Sequence, residues 1–288
     1  MIERRDYTYE LTIPEGVTKI GDYVFYNMSC DIKNLPDTIE TIGAYAFNKC
    51  YGLGYVNLPT NLTFIGESAF EASDVNFSSI PDGVTKILAR TFAYANINKL
   101  TLPSALTSIG EYAFSNNTML DIKALPDSLT SIGRYAFYRC GLYSLTTVPS
   151  GIDKINSYTF NNAGIRSFTL PDSVTEIGQD AFAECNYLAE LHLSANLTII
   201  RPRAFSGCLS LTSVTFPAAL STLYADAFNG CIGLSEVTFE GTPTSIANDV
   251  FEKCDALLTI NVPWAEGAVA NAPWGATNAT INYNYTPT

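Results

Sequence analysis

Phenylalanine recurs along this chain every 22 or 23 residues, at Phe25, Phe47, Phe70, Phe92, Phe114, Phe137, Phe160, Phe182, Phe205, Phe228 and Phe251. A period in the twenties means that each unit is one small supersecondary element, able to bury its apolar face only against its neighbours, so the units must stack into a solenoid. Length alone would allow two domains, but the unbroken period assigns residues 1–288 to a single elongated domain of about eleven repeats. The ends should differ from the middle, because a terminal repeat lacks one neighbour. An N-terminal cap is expected over about residues 1–10 and a C-terminal cap over about 263–288, where Trp274 stands in the next phenylalanine place and Trp264 can cover core.

A second marker fixes the register. Pro14, Pro36, Pro59, Pro81, Pro103, Pro126, Pro149, Pro171, Pro217 and Pro263 share the period, Ser194 and Glu240 fill the two gaps, and the phenylalanine follows 11 residues later. All variation in length therefore falls between the phenylalanine and the next proline slot. Six residues after the slot stand Ile20, Ile42, Ile65, Ile87, Ile109, Ile132, Ile155, Ile177, Ile200, Leu223 and Ile246, a core column. Before the slot, pairs such as Val56 and Leu58 or Leu100 and Leu102 flank a polar residue, the period of a half-buried strand. Proline, which has no N–H for a ladder, ends that strand. A second, shorter extended piece of Val-Thr-x-Ile-Gly type follows, closed by Gly21, Gly43, Gly66, Gly110, Gly133 and Gly178. The next segment, x-x-Ala-Phe, is too short for a full α-helix and reads as one turn of α or 3₁₀ helix.

The consensus Cys-x-x-Leu-x-x-Val-x-(Ile/Leu)-Pro-x-x-(Leu/Val)-Thr-x-Ile-Gly-x-x-Ala-Phe, much of which is seen from Thr212 to Phe228, resembles the BspA-type leucine-rich repeat over roughly residues 8–283. The resemblance implies an α/β solenoid that is mostly β: a right-handed leucine-rich-repeat superhelix with a parallel concave sheet, short second strands and single helical turns. It also implies a non-enzymatic, secreted or cell-surface module for adhesion, with a protein or glycan on a cell surface as partner. Related repeats in phage-like proteins make a phage-tail or prophage-encoded host-recognition module the alternative. A passive spacer in a larger surface protein is the other.

Near Ile32, Phe77, Ile122 and Leu145 the inner apolar residue stands four places before the slot rather than three, which predicts a bulge or register shift. Asp37, Asp82, Asp127 and Asp172 follow their prolines at 45-residue intervals. Residues two rungs apart in a sheet are separated by roughly 10 Å, too far for one ion, so these aspartates are expected to initiate turns and no metal site is expected. Of the seven cysteines, six stand three residues after a phenylalanine and Cys30 takes an apolar place, so all seven are expected as buried, reduced small hydrophobes. Parallel in-register side chains keep Cβ atoms about 5 Å apart, beyond the roughly 3.5 to 4.5 Å of a disulfide.

Net charge is −12, with 16 basic residues spread among 28 acidic ones, which disfavours nucleic acid as a partner. No run approaches the eighteen or so apolar residues of a membrane span, and Met-Ile-Glu-Arg-Arg lacks the apolar core of a secretion signal. If the resemblance implies export, the signal was removed or lies on a longer parent chain. There is one histidine, His192, and no P-loop, GxGxxG or HExxH motif, so neither catalysis nor a cofactor is expected.

Recognition is expected on the exposed face of the strand that precedes the slot. Two places before the slot runs a polar stripe that includes Asn57, Thr101, Thr169, His192, Thr215, Thr238 and Asn261. Four places before it stand the more varied Tyr55, Lys99, Glu190 and Glu236. Apart from Asn261, these residues are the candidate binding set, centred on Thr169, His192 and Thr215. A second column, Tyr23, Tyr45, Tyr112, Tyr135 and Tyr158, stands two places before the phenylalanine; its rings are expected to shield core while their hydroxyls stay wet.

Overall fold

A computed structural model describes residues 9–32 and 34–286, and every strand pairing in it is parallel. Of the expected N-terminal cap over about residues 1–10, residues 1–8 lie outside the described residues, and Tyr9 and Glu10 belong to the first strand. Strands before the proline slot form one column: Tyr9–Leu11, Cys30–Ile32, Ser167–Thr169, Glu190–His192, Ser213–Phe216, Glu236–Phe239, Thr259–Asn261 and Thr280–Asn282. Between Ile32 and Ser167 the column continues as single bridges, among them Tyr55 with Asn76 and Ser79 with Thr101. The Thr-x-Ile pieces form a second column of two-residue strands, in which Ile155, Ile177, Ile200, Leu223 and Ile246 lie in register. Alternation of apolar and polar residues in sequence becomes alternation of burial, as in Val214, Thr215 and Phe216, where only the threonine is exposed.

Bulges are present where the spacing predicts them. Ser78 and Ser79 are both exposed between buried Phe77 and Ile80, and Thr146 and Thr147 between Leu145 and Val148. Leu11 pairs with Ile32, although one stands three places and the other four before its slot, so the extra residue is absorbed between strand and proline.

The eleven periodic phenylalanines form one continuous ladder through the core, with successive ring centroids 5.0 to 6.0 Å apart. That spacing matches the rise between rungs and lies within the range for offset stacking. Phe77, Phe168 and Phe216, from the strand side, meet the ladder at steep angles and lock it laterally.

The expected helical turn before the phenylalanine is not formed; among the described residues none is helical. Backbone groups there serve two neighbours in alternation. Ala69, Glu71 and Ser73 donate to Gly66, Ser68 and Phe70 within the rung, while Ser68, Phe70 and Ala72 donate to Ala89, Thr91 and Ala93 of the next rung. A helix would take every N–H for its own segment and leave the neighbouring rung without donors. The alternation requires left-handed backbone at non-glycine residues, with φ of 53° at Ser68 and 56° at Ala72, repeated at Tyr23, Tyr45, Tyr112, Tyr135 and Tyr158. Such a residue costs roughly 1 to 2 kcal/mol, and each N–H carried across to the next rung offsets part of it. Gly133 serves a different need, since a Cβ there would lie 2.6 Å from backbone of Gly110 and Glu111. Rungs touch at that column with no room for a side chain.

The C-terminal end departs from expectation. Each ladder phenylalanine donates its N–H to the residue before the next phenylalanine, as Phe228 does to Val250, and Phe251 donates to Trp274 at 2.9 Å. Trp274 thus sits in the alanine place, one position early. Its ring leaves the ladder line, packs on Phe239 and Trp264, and donates Nε1–H to Ala270 O at 2.8 Å. An indole is larger than the ladder slot and needs a partner for its N–H when buried, which this position supplies.

Phe137 has no exposed surface and stacks on Phe114 and Phe160 at 5.5 and 5.7 Å. Phe137→Ala should lower unfolding stability by about 3 to 5 kcal/mol in denaturant titration; an unchanged midpoint would contradict the ladder.

Candidate functional site

The strand column presents the candidate residues in two groups. Tyr55, Asn57, Lys99 and Thr101 are exposed on the N-terminal half, and the Tyr55 hydroxyl donates to Ser78 Oγ at 3.2 Å. Lys99 and Thr101 line an open recess of about 470 Å³ with Ser78 and Asp121. The bulged rungs separate this group from the second.

In the C-terminal half, Thr169 pairs directly with His192, and Ser167 with Glu190, whose Oε2 accepts the Ser167 hydroxyl at 3.1 Å. Thr215 pairs with Thr238, and Ser213 with Glu236. Between Glu190–His192 and Ser213–Phe216 the hydrogen-bonded ladder is interrupted. There His192 and Thr215 line an open recess of about 400 Å³, with Asp172 and Glu240 at its rim. Glu236 is engaged further along: its Oε1 accepts from Asn261 Nδ2 at 2.8 Å, while Asn261 Oδ1 accepts from Asn282 at 2.8 Å. Asn261 is buried, so the polar stripe ends in an amide ladder rather than continuing as exposed surface.

The tyrosine column packs on itself. Tyr23 and Tyr45 stack at 4.8 Å, while Tyr112, Tyr135 and Tyr158 stack at 4.5 and 4.4 Å within 6° of parallel, and the Arg90 guanidinium covers the outer face of Tyr112 at 4.6 Å. Stacking between rungs takes the faces that a sugar would need and leaves the hydroxyl edges. Burial, with smaller contributions from Tyr135 and Glu111, raises the Tyr112 phenol above its ordinary value. Burial, together with the neighbouring Asp180 carboxylate, pushes Tyr158 up to about 12.

Cys50, Cys140, Cys185, Cys208, Cys231 and Cys254 are buried, and the last five are free thiols; the side chain of Cys30 lies outside the described residues. The Cys140, Cys185, Cys208, Cys231 and Cys254 thiols each lie 3.0 to 3.3 Å from the phenylalanine carbonyl of the preceding rung. Asn117 Nδ2 does the same to Phe92 O at 2.8 Å, so this column provides a donor between rungs. Burial pushes the Cys185 thiol up to about 12. Asp37, Asp82 and Asp172 accept the backbone N–H of Thr60, Ser104 and Ala195 in the following rungs, which accounts for them as turn residues. Among the described residues no group of three His, Cys, Asp or Glu side chains could hold a metal ion, and no helix is long and apolar enough to cross a membrane.

Sequence reasoning passed over the elastic arc between phenylalanine and strand. By register Tyr143 belongs to the leucine column of Leu120, Leu188, Leu211 and Leu234, yet Leu142 takes that core place with φ 47° and Tyr143 is turned out to 43 % exposure. Tyr187, 60 % exposed, stands where Ser210, Gly233 and Ala256 stand in the next rungs. An aromatic among small residues was the available signal.

The BspA type leucine rich repeat region matches in six copies, over residues 5–98, 85–164 and 153–268, and the chain belongs to that family. No curated protein matches it in sequence. Among solved structures, a leucine-rich repeat protein from Bacteroides ovatus is 23% identical with a TM-score of 0.50, over 96% of this chain and 83% of that one. The pneumococcal vaccine antigen PcpA is 17% identical with a TM-score of 0.56, over 97% and 90%. A leucine rich cell surface protein from Faecalibacterium prausnitzii is 25% identical with a TM-score of 0.48, over 90% and 88%. The PcpA and Bacteroides structures show the shared solenoid fold.

Two measurements follow. Because folding raises the tyrosine pKa values, the folded state binds more protons than the unfolded state above pH 10; the stability these phenols contribute is full below about pH 10 and lost as pH rises towards 12. Absorbance titration of tyrosinate in the folded protein should show a late-ionising fraction that shrinks in Tyr158→Phe, and an unaltered curve would contradict the burial of that hydroxyl. Thiol counting should find the six described cysteines unreactive in the native protein and all seven reactive after non-reducing denaturation. Fewer than seven would mean that a disulfide is present.

Proposed function

We propose that this protein is a non-enzymatic, extracellular or cell-surface recognition module that binds a protein or glycan on a cell surface through the exposed strand column. Membership of the BspA-type family supports a surface and protein-interaction role. One observation favours the region around His192: the strand ladder is interrupted there, and a recess opens between His192 and Thr215 where neighbouring rungs are closed by pairing. Thr169, His192 and Thr215 lie on three successive rungs, so a partner laid along the stack would touch all three at once. Such an interface works through several polar contacts spread over rungs rather than one enclosed apolar pocket. On this reading the chain needs no cofactor or metal, and its excess acidic charge selects against nucleic acid.

The triple variant Thr169→Asp, His192→Asp, Thr215→Asp changes only exposed side chains. It should keep the wild-type Tm and lose attachment of labelled protein to a panel of bacterial and mammalian cells. Full attachment by the folded variant would reject this patch, and failure of the wild type to attach to any of them would favour a spacer.

A further inference from the structure

Tyr143 and Tyr187 stand two rungs apart and meet across the intervening one, their ring centroids 6.4 Å apart at 69°. They can meet because the rung between them carries Gly164, where a Cβ would strike both Gly141 O and the Tyr143 ring. The two rings, with Gly164 between them, enclose an open recess of about 310 Å³, rimmed by Arg139, Asn162, Glu184 and Asn186. It belongs to the arc between phenylalanine and strand, not to the strand face discussed above. Its volume is at the small end of the roughly 300 to 1,000 Å³ of small-molecule sites.

Three features define the chemistry of an occupant. Arg166 lies over Tyr143 at 5.6 Å, which steadies that ring, while Tyr187 remains largely exposed and offers an apolar platform with a polar rim. Asn162, Asn186, Glu184 and Arg139 present planar groups with paired donors or acceptors, the geometry that takes two adjacent hydroxyls at once. Asn186 lines the recess, and its Oδ1 is buried without a hydrogen-bond partner among the described residues. Arg139 and Glu184 give the rim both signs of charge, so it is not built for an anion or a cation alone. A pyranose ring meets all three conditions, with one face of C–H groups and an equator of vicinal hydroxyls. Leu142 is left-handed, with φ 47°, and Tyr143 beside it faces solvent.

We propose that the recess between Tyr143 and Tyr187 is a binding site for a neutral pyranose, with Tyr187 as stacking platform and Asn186 Oδ1 as hydroxyl acceptor. The test is saturation-transfer NMR on the full chain with methyl glycosides of neutral hexoses and of N-acetylhexosamines as probes. Transfer should concentrate on the protons of one pyranose face. Affinity should fall by about tenfold or more in Tyr187→Ala and in Asn186→Ala. Asn186→Ala should do so at equal or higher Tm, since it removes a buried unpaired acceptor; a purely structural asparagine would lower Tm and leave binding unchanged. The strand-face triple variant should bind as the wild type does. Absence of transfer to every probe, binding unaltered in Tyr187→Ala, or loss of binding in the strand-face variant would each overturn the proposal.

Discussion

Everything in this structure depends on how backbone amides are shared between a rung and its neighbour. In the segment before each phenylalanine, alternate N–H groups close turns within the rung and the others cross to the next one. That arrangement forbids a helix, places non-glycine residues at positive φ, and sets side chains of successive rungs in register. The phenylalanine ladder, the stacked tyrosines and the thiol column all follow from it, because any residue type repeated at one place must stack on itself about every 5 Å. No rung can satisfy these groups alone, which is why the unit of stability is the contact between rungs.

A uniform stack presents a uniform surface, so recognition has to come from its interruptions. Two of them carry the candidate sites. At His192 and Thr215 the ladder lapses and a polar recess opens on the strand face. At Leu142 the chain turns left-handed, the core place is taken one residue early, and a tyrosine meant by register for the interior stands outside. Several other potential sites are closed by the stack itself: tyrosine faces by other tyrosines, aspartates by backbone amides, thiols by phenylalanine carbonyls.

Much of the fold was legible in the sequence because the same constraint acts at every repeat. The Phe and Ile columns, the pre-proline strand and the bulges near Phe77 and Leu145 are where the spacing puts them. Two elements were not legible. The x-x-Ala-Phe segment has helix-compatible residues, and only the competition of the next rung for its amides decides against a helical turn. Trp274 has the spacing of a ladder residue, yet its size and its N–H move it one place towards Phe239 and Trp264. Most strand-face residues are exposed as the alternation requires, Thr238 being half-buried and Asn261 buried, but the recess beside His192 depends on a lapse in pairing that no single residue marks. Tyr143 was hidden by its register, which assigns it to the core.

The central claim is that stability resides in whole rungs coupled to their neighbours, and deletion tests it most directly. Removing residues 183–205 takes out one full period and sets Phe182 in the place of Phe205, keeping every column in register. Removing residues 183–193 takes out about half a period and throws the following columns out of register. The account predicts that the full-period deletion folds with a cooperative unfolding transition close to that of the parent chain, while the half-period deletion loses it. Equal behaviour of the two deletions in denaturant unfolding would contradict it.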